Sequence, residues 1–354
     1  MKILSIVRGA ALALLLDPSA GAAHADTVRL TVVSGYAPTA AWVKQFQEVF
    51  VPEVDKRLAA TGNHKIDWNL AWGTIVKPAG EFDAVQNGLA DMGIVQTVFH
   101  PDKVGVYNIS YVTPFVSTDI VAITKAVNGL ARDYPAMTDV WAKYRQHMLT
   151  TLAGVDNYQI VLRDPAAGPD DLAGRKICGA GLNLRYVEGE SVVGVPSPLP
   201  DFYNNINSGI CDGTIIWPDA IQNFKLVEVA PHMLDVSFGG VNSMALTANQ
   251  AKWTALPEEV RTVLQETAET YRVALAEYAM KRSADATKAY ADAGGKIVAV
   301  DEATRKAWAE RIPPIASEWA AGLKAQGVPA DEILAGYLAA MTSAGAIPLR
   351  DWSK

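Results

Sequence analysis

The feature that most limits what this chain can fold into is an alternation of strand-like and helix-like segments that occurs twice. Residues 28–34 are rich in β-branched side chains and stop at Gly35-Tyr36, so they read as a strand. Trp42, Phe46, Val49, Phe50, Val54 and Leu58 then recur at helical spacing, and Gly62-Asn63 ends that helix. Ile66, Trp68 and Leu70 alternate in a strand over 65–72, and a helix over 80–89 and a strand over 91–95 complete the run. Strand and helix in alternation build a parallel sheet, and ligands meet such a sheet at the carboxyl ends of its strands.

The alternation restarts after Met148. Residues 149–153 and 159–162 are strand-like, with Asp156-Asn157 between them. Strands over 176–178, 192–195 and 213–217 alternate with helices over 182–188 and 199–208. Pro257-Glu258-Glu259 then opens a long helix in which Val260, Leu264, Tyr271, Leu275 and Tyr278 form an apolar stripe, and Gly294-Gly295 ends it. A length of 354 residues suits about two such domains. Two α/β units bridged by a long helix place a ligand in the cleft between them, for binding or for catalysis.

The first residues have a different character. Lys2 and Arg8 precede an apolar stretch over 9–16, and Ala23-His24-Ala25 is a small-x-small cleavage signal, so residues 1–25 read as a signal peptide for export. A formal net charge of −7 argues against nucleic acid or an anionic membrane as partner. No long apolar run follows, so no mature membrane span is expected. Cys178 and Cys211 are the only cysteines, and composition alone leaves them as a disulfide or as two buried thiols.

Motifs for chemistry are sparse. His24, His64, His100, His147 and His232 lack zinc-ligand spacing, no Gly-x-Ser-x-Gly elbow occurs, and neither a metal nor a cofactor is expected. Tyr36, Trp72, Phe99, Tyr111, Phe115, Tyr158 and Trp217 fall at or just after the expected strand ends. Aromatic residues there line an apolar pocket with polar tips, or simply pack in the core.

Several phrases together resemble the solute-binding proteins of TRAP transporters, DctP type. They are Tyr36-Ala37-Pro38, Val51-Pro52-Glu53-Val54, Lys77-Pro78-Ala79-Gly80-Glu81 and Ala84-Val85-Gln86-Asn87-Gly88-Leu89-Ala90-Asp91-Met92-Gly93, then Asp171-Leu172-Ala173-Gly174-Arg175-Lys176-Ile177, Asp201-Phe202-Tyr203, Cys211-Asp212-Gly213, Phe224-Lys225-Leu226-Val227-Glu228-Val229 and Leu256-Pro257-Glu258-Glu259-Val260. The resemblance implies a two-lobed periplasmic-binding-protein fold of α/β class, each lobe a mostly parallel sheet flanked by helices, with a long helix spanning both. Residues 26–155 would form lobe 1 with part of about 245–270, and 156–244 lobe 2 with part of about 271–354. It also implies a periplasmic protein, not an enzyme, that hands a small ligand, usually an organic acid, to an ion-gradient-driven membrane permease.

The resemblance further implies an arginine that grips the acid from the strand after Asp-Leu-x-Gly, since a guanidinium presents a bidentate fork. Cys178 stands at that place here, and Tyr158 stands where a second arginine is often found. Arg185 is the expected replacement cation, with Arg163 a weaker one. Both cysteines occupy positions where the family carries other residues, on strands expected to be neighbours, so a Cys178–Cys211 disulfide is expected. The expected ligand contacts are Tyr36, Trp72, Gln96, Thr97, Tyr111 and Phe115 from the first lobe, and Asn157, Tyr158, Asn183, Arg185, Trp217 and Asp219 from the second. A binding protein of an ATP-driven importer and a periplasmic enzyme using the same cleft are the alternatives.

Overall fold

A computed structural model describes residues 25–354, so the expected cleavage signal and the segment before it lie outside the described residues, Ala25 excepted. The chain builds two sheets. The first has the order β2-β1-β3-β10-β4, from β1 (Asp26–Ser34), β2 (His64–Trp72), β3 (Met92–Gln96), β4 (Gln146–Leu152) and β10 (Met244–Asn249). The second has the order β11-β9-β5-β8-β6-β7. Its strands are β5 (Gln159–Leu162), β6 (Lys176–Gly179), β7 (Val193–Pro196), β8 (Gly213–Ile216), β9 (His232–Asp235) and β11 (Lys296–Ala299).

Both sheets are mostly parallel, and each carries one reversed strand. In the first sheet β10 runs antiparallel to β3 and β4; in the second β5 runs antiparallel to β8 and β9. The reversals follow from the chain path. It leaves the carboxyl end of β4 for β5, and later the carboxyl end of β9 for β10, so each reversed strand begins where the chain has just crossed. The forward strands of both sheets therefore end at one shared cleft.

The two crossings run side by side. Val155 and Val241 form an antiparallel bridge, and Tyr158 N–H donates to Gly239 O at 3.0 Å. Gly240 sits in this tight pairing, where a Cβ would lie 2.6 Å from the Asp156 carbonyl oxygen.

The helix after β1 runs from Ala41–Gln45 through a π-turn, Phe46–Phe50, into Val51–Thr61. Trp42, Phe46, Phe50, Val54 and Leu58 are all buried, and burying each aromatic ring contributes about 2–3 kcal/mol. Gly62, at φ 72°, adopts the left-handed conformation that stops the helix. The long helix Glu258–Asp292 clasps both lobes with tyrosine hydroxyls: Tyr271 donates to Trp42 O at 2.7 Å and Tyr290 to Ala230 O at 2.8 Å. Beyond β11 the chain returns to the first lobe, where Ile315–Lys324 donates from Trp319 Nε1 to Gly105 O at 2.7 Å. No helix of the described residues is long and apolar enough to cross a membrane.

Candidate ligand site in the interlobe cleft

The strand ends that meet at the cleft deliver the side chains of one enclosed cavity. Tyr36 follows β1, and Gln96 closes β3, with Val98 and Phe99 in the turn beyond it. Asn183 and Ala180 follow β6, Trp217 follows β8, and Tyr158 and Ser243 stand at the entries of the two reversed strands. Tyr111, Trp42 and Phe202 complete the aromatic wall around a space of about 30 Å³. Cavities of about 260 Å³ and 110 Å³ adjoin it, sharing Tyr111 on one side and Tyr36, Trp42 and Trp217 on the other. The lobes close tightly here. Gly181, at φ +66°, would place a Cβ 2.5 Å from Val98 Cγ2, a contact between lobes that only a glycine permits.

Polar groups in this wall are few and unequally satisfied. The hydroxyls of Tyr111 and Tyr158 lie 3.1 Å apart, and Trp217 meets the Tyr158 ring edge-on at 6.0 Å. Burial pushes the Tyr158 hydroxyl up to about 12 and Tyr36 and Tyr111 well above the usual phenol range, so all three remain neutral donors. Gln96 Nε2, Trp42 Nε1, Asn183 Oδ1 and Ser243 Oγ are buried without a hydrogen-bond partner among the described residues. An unmet buried polar atom costs about 1–3 kcal/mol, which a ligand that pairs with it recovers.

The cavity gathers Tyr36, Gln96, Tyr111, Tyr158, Asn183 and Trp217, and the other expected contacts lie elsewhere. Trp72 ends β2, the outer edge of its sheet, and packs against Phe46 at 5.7 Å. Thr97 is buried beside the reversed strand, its N–H donating to Ser243 O. Phe115 packs against Phe238, with tilted rings 5.1 Å apart, next to a different cavity. Asn157 braces the crossing, donating to Ser237 Oγ and accepting from Gly239 N–H. Asp219 is 3.1 Å from Arg282 and lines the adjoining cavity. Arg185 lies at the 260 Å³ cavity, where it is held by Glu188 at 2.6 Å and Glu318 at 2.9 Å. Arg163 pairs on the surface with Asp164 and Asp212.

Trp42 and Ser243 also line the cavity, and neither was legible there from the sequence. Trp42 reads as one more apolar position of its helix, and Ser243 precedes a strand that the sequence pattern does not announce. The cysteines form a disulfide, Cys178–Cys211, with a Cα–Cα distance of 5.7 Å, behind the cleft between β6 and β8. Among the described residues no cluster of three or more His, Cys, Asp or Glu side chains is placed to hold a metal.

A family model for bacterial extracellular solute-binding proteins, family 7 (DctP), matches residues 40–322. The chain belongs to this family. A solute-binding protein of Albidiferax ferrireducens is 24% identical over 267 residues, 73% of this chain and 75% of that one. Solved structures with the same fold include a marine metagenome TRAP solute-binding protein specific for aromatic acids, with 3-hydroxybenzoate (TM-score 0.77, 19% identity, 90% of this chain and 99% of that one). Another is a TRAP periplasmic solute-binding protein of Bordetella bronchiseptica with bound mandelate (TM-score 0.76, 22% identity, 90% of this chain and 99% of that one). A third, from Rhodoferax ferrireducens, holds benzoate (TM-score 0.76, 18% identity, 90% and 98%). These relatives are solute-binding proteins.

Proposed function

We propose that this family 7 solute-binding protein is exported to the periplasm, captures one small organic molecule between its lobes and delivers it to a TRAP membrane permease. The observation that carries this reading is the convergence of Tyr36, Gln96 and Tyr111 from one lobe with Tyr158, Asn183 and Trp217 from the other on a single enclosed cavity. A space of about 30 Å³ admits little more than a water-sized probe, so the ligand enters while the lobes are apart. A molecule touching both lobes favours their closure; one touching a single lobe has no differential affinity with which to drive it.

Three of the solved relatives hold benzoate, 3-hydroxybenzoate and mandelate, which supports a ring-bearing, partly polar ligand here. Thermal denaturation against a library of acids, amides, polyols and aromatic compounds tests capture. A ligand present at a hundredfold over its Kd stabilises the protein by about 2.7 kcal/mol, a readable rise in Tm. Uptake of that ligand by cells lacking this protein tests delivery. Uptake is expected to fall, and to depend on the ion gradient; uptake that persists at the parental rate contradicts the delivery step.

A further inference from the structure

The charge distribution around the cavity restricts its ligand further. Among the described residues no Lys, Arg or His lines it. The ionisable groups close by are acidic. Glu81 is fully buried and accepts the Gly35 N–H at 2.7 Å, immediately beside Tyr36. Asp156 is buried at the crossing, and Asp219 is buried in the adjoining cavity. The guanidinium groups in the neighbourhood are committed elsewhere: Arg185 to Glu188 and Glu318, and Arg282 to Asp219 and Gln222. Cys178 is spent in its disulfide, and Tyr158 brings a neutral hydroxyl.

The unmet polar atoms have a definite composition. Trp42 Nε1 and Gln96 Nε2 are donors, while Asn183 Oδ1 is an acceptor. Ser243 Oγ serves as either. A carboxylate brings acceptors alone, so it leaves an amide oxygen unmatched and brings a negative charge that no cation lining the cavity meets. An ammonium brings donors alone and leaves the indole N–H unmatched. A carbonyl next to an N–H or O–H meets both kinds of atom without charge.

Resting on the capture reading above, we propose that this cavity is built for an uncharged, flat molecule carrying at least one acceptor and one donor, an amide, lactam or hydroxylated ring, rather than for a carboxylate. The chain thereby departs from relatives whose bound ligands are acids. Burying a charge without a partner costs several kcal/mol, which sets the scale of the discrimination.

Calorimetry at pH 7 on the purified protein tests this with a panel of small ring skeletons, each offered as amide, carboxylate and amine. Benzamide, benzoate and benzylamine form one set, and mandelamide, mandelate and its amine counterpart another. In every skeleton that binds, the amide is expected to be tighter than the carboxylate by about a hundredfold or more. A carboxylate or amine that binds as tightly as its amide overturns the inference and leaves capture standing. A panel in which no form of any skeleton binds overturns the inference together with the capture reading.

Discussion

Two buried side chains at the cleft show how a single residue sets a measurable property. Asn183 Oδ1 is buried and unpartnered, so the amide costs the fold stability that the ligand is meant to recover. Asn183→Leu keeps the bulk and removes the polar atoms. It is expected to leave stability within about 1 kcal/mol of the parent while weakening ligand binding at least tenfold by calorimetry. Stability and affinity falling together would mean that Asn183 only packs. Glu81 behaves differently. Burial pushes its carboxyl up to about 7, against the Gly35 N–H that favours the charged form. A folded-state value above the unfolded one means that the folded protein binds the extra proton. Its contribution is therefore complete below about pH 4.5 and is lost as pH rises through about 7, a difference on the order of 3 kcal/mol. Asp156, raised to about 6 chiefly by burial, acts in the same sense at lower pH. Urea unfolding is expected to give a lower midpoint at pH 8.5 than at pH 5.5, with the slope flattened in Glu81→Gln; an unchanged slope would remove Glu81 as its source.

At the scale of elements, strand and helix alternation was legible because each period is written in the side chains. The alternating face of 65–72 and the stripe of the long helix both correspond to elements in the structure. The reversed strands were not legible. β10 is buried almost throughout, so it carries no alternation, and its direction depends on a crossing between sheets distant in sequence. The candidate cavity was legible to the same degree: Tyr36 and Trp217, just after forward strands, line it, whereas Trp72 ends a strand at the sheet edge and does not. The disulfide ties β6 to the entry of β8 across a separation of 33 residues. In the chain-entropy account a loop of that size contributes about 3–4 kcal/mol. Replacing both cysteines by serine is expected to lower unfolding stability by that amount, read from urea titration without reductant. A change below about 1 kcal/mol would show that the bond constrains little beyond what the sheet already fixes.

At the scale of the whole molecule, the two crossings and the long helix are the parts that join the lobes. The seam also carries an ion pair, Arg185 with Glu318, which joins the segment after β6 to a helix that packs on the first lobe. Both side chains are partly exposed, so the pair is worth at most about 1 kcal/mol. Arg185→Ala is accordingly expected to change ligand affinity by less than about fivefold and to lose that effect in high salt. A loss of a hundredfold would instead place Arg185 on the ligand. The central claim is that a small molecule is held by both lobes and so favours their closed arrangement. Small-angle X-ray scattering across a ligand titration addresses it most directly. Saturated protein should scatter as a more compact particle than ligand-free protein, with the change following calorimetric occupancy. Scattering that stays the same from empty to saturated protein would contradict the claim.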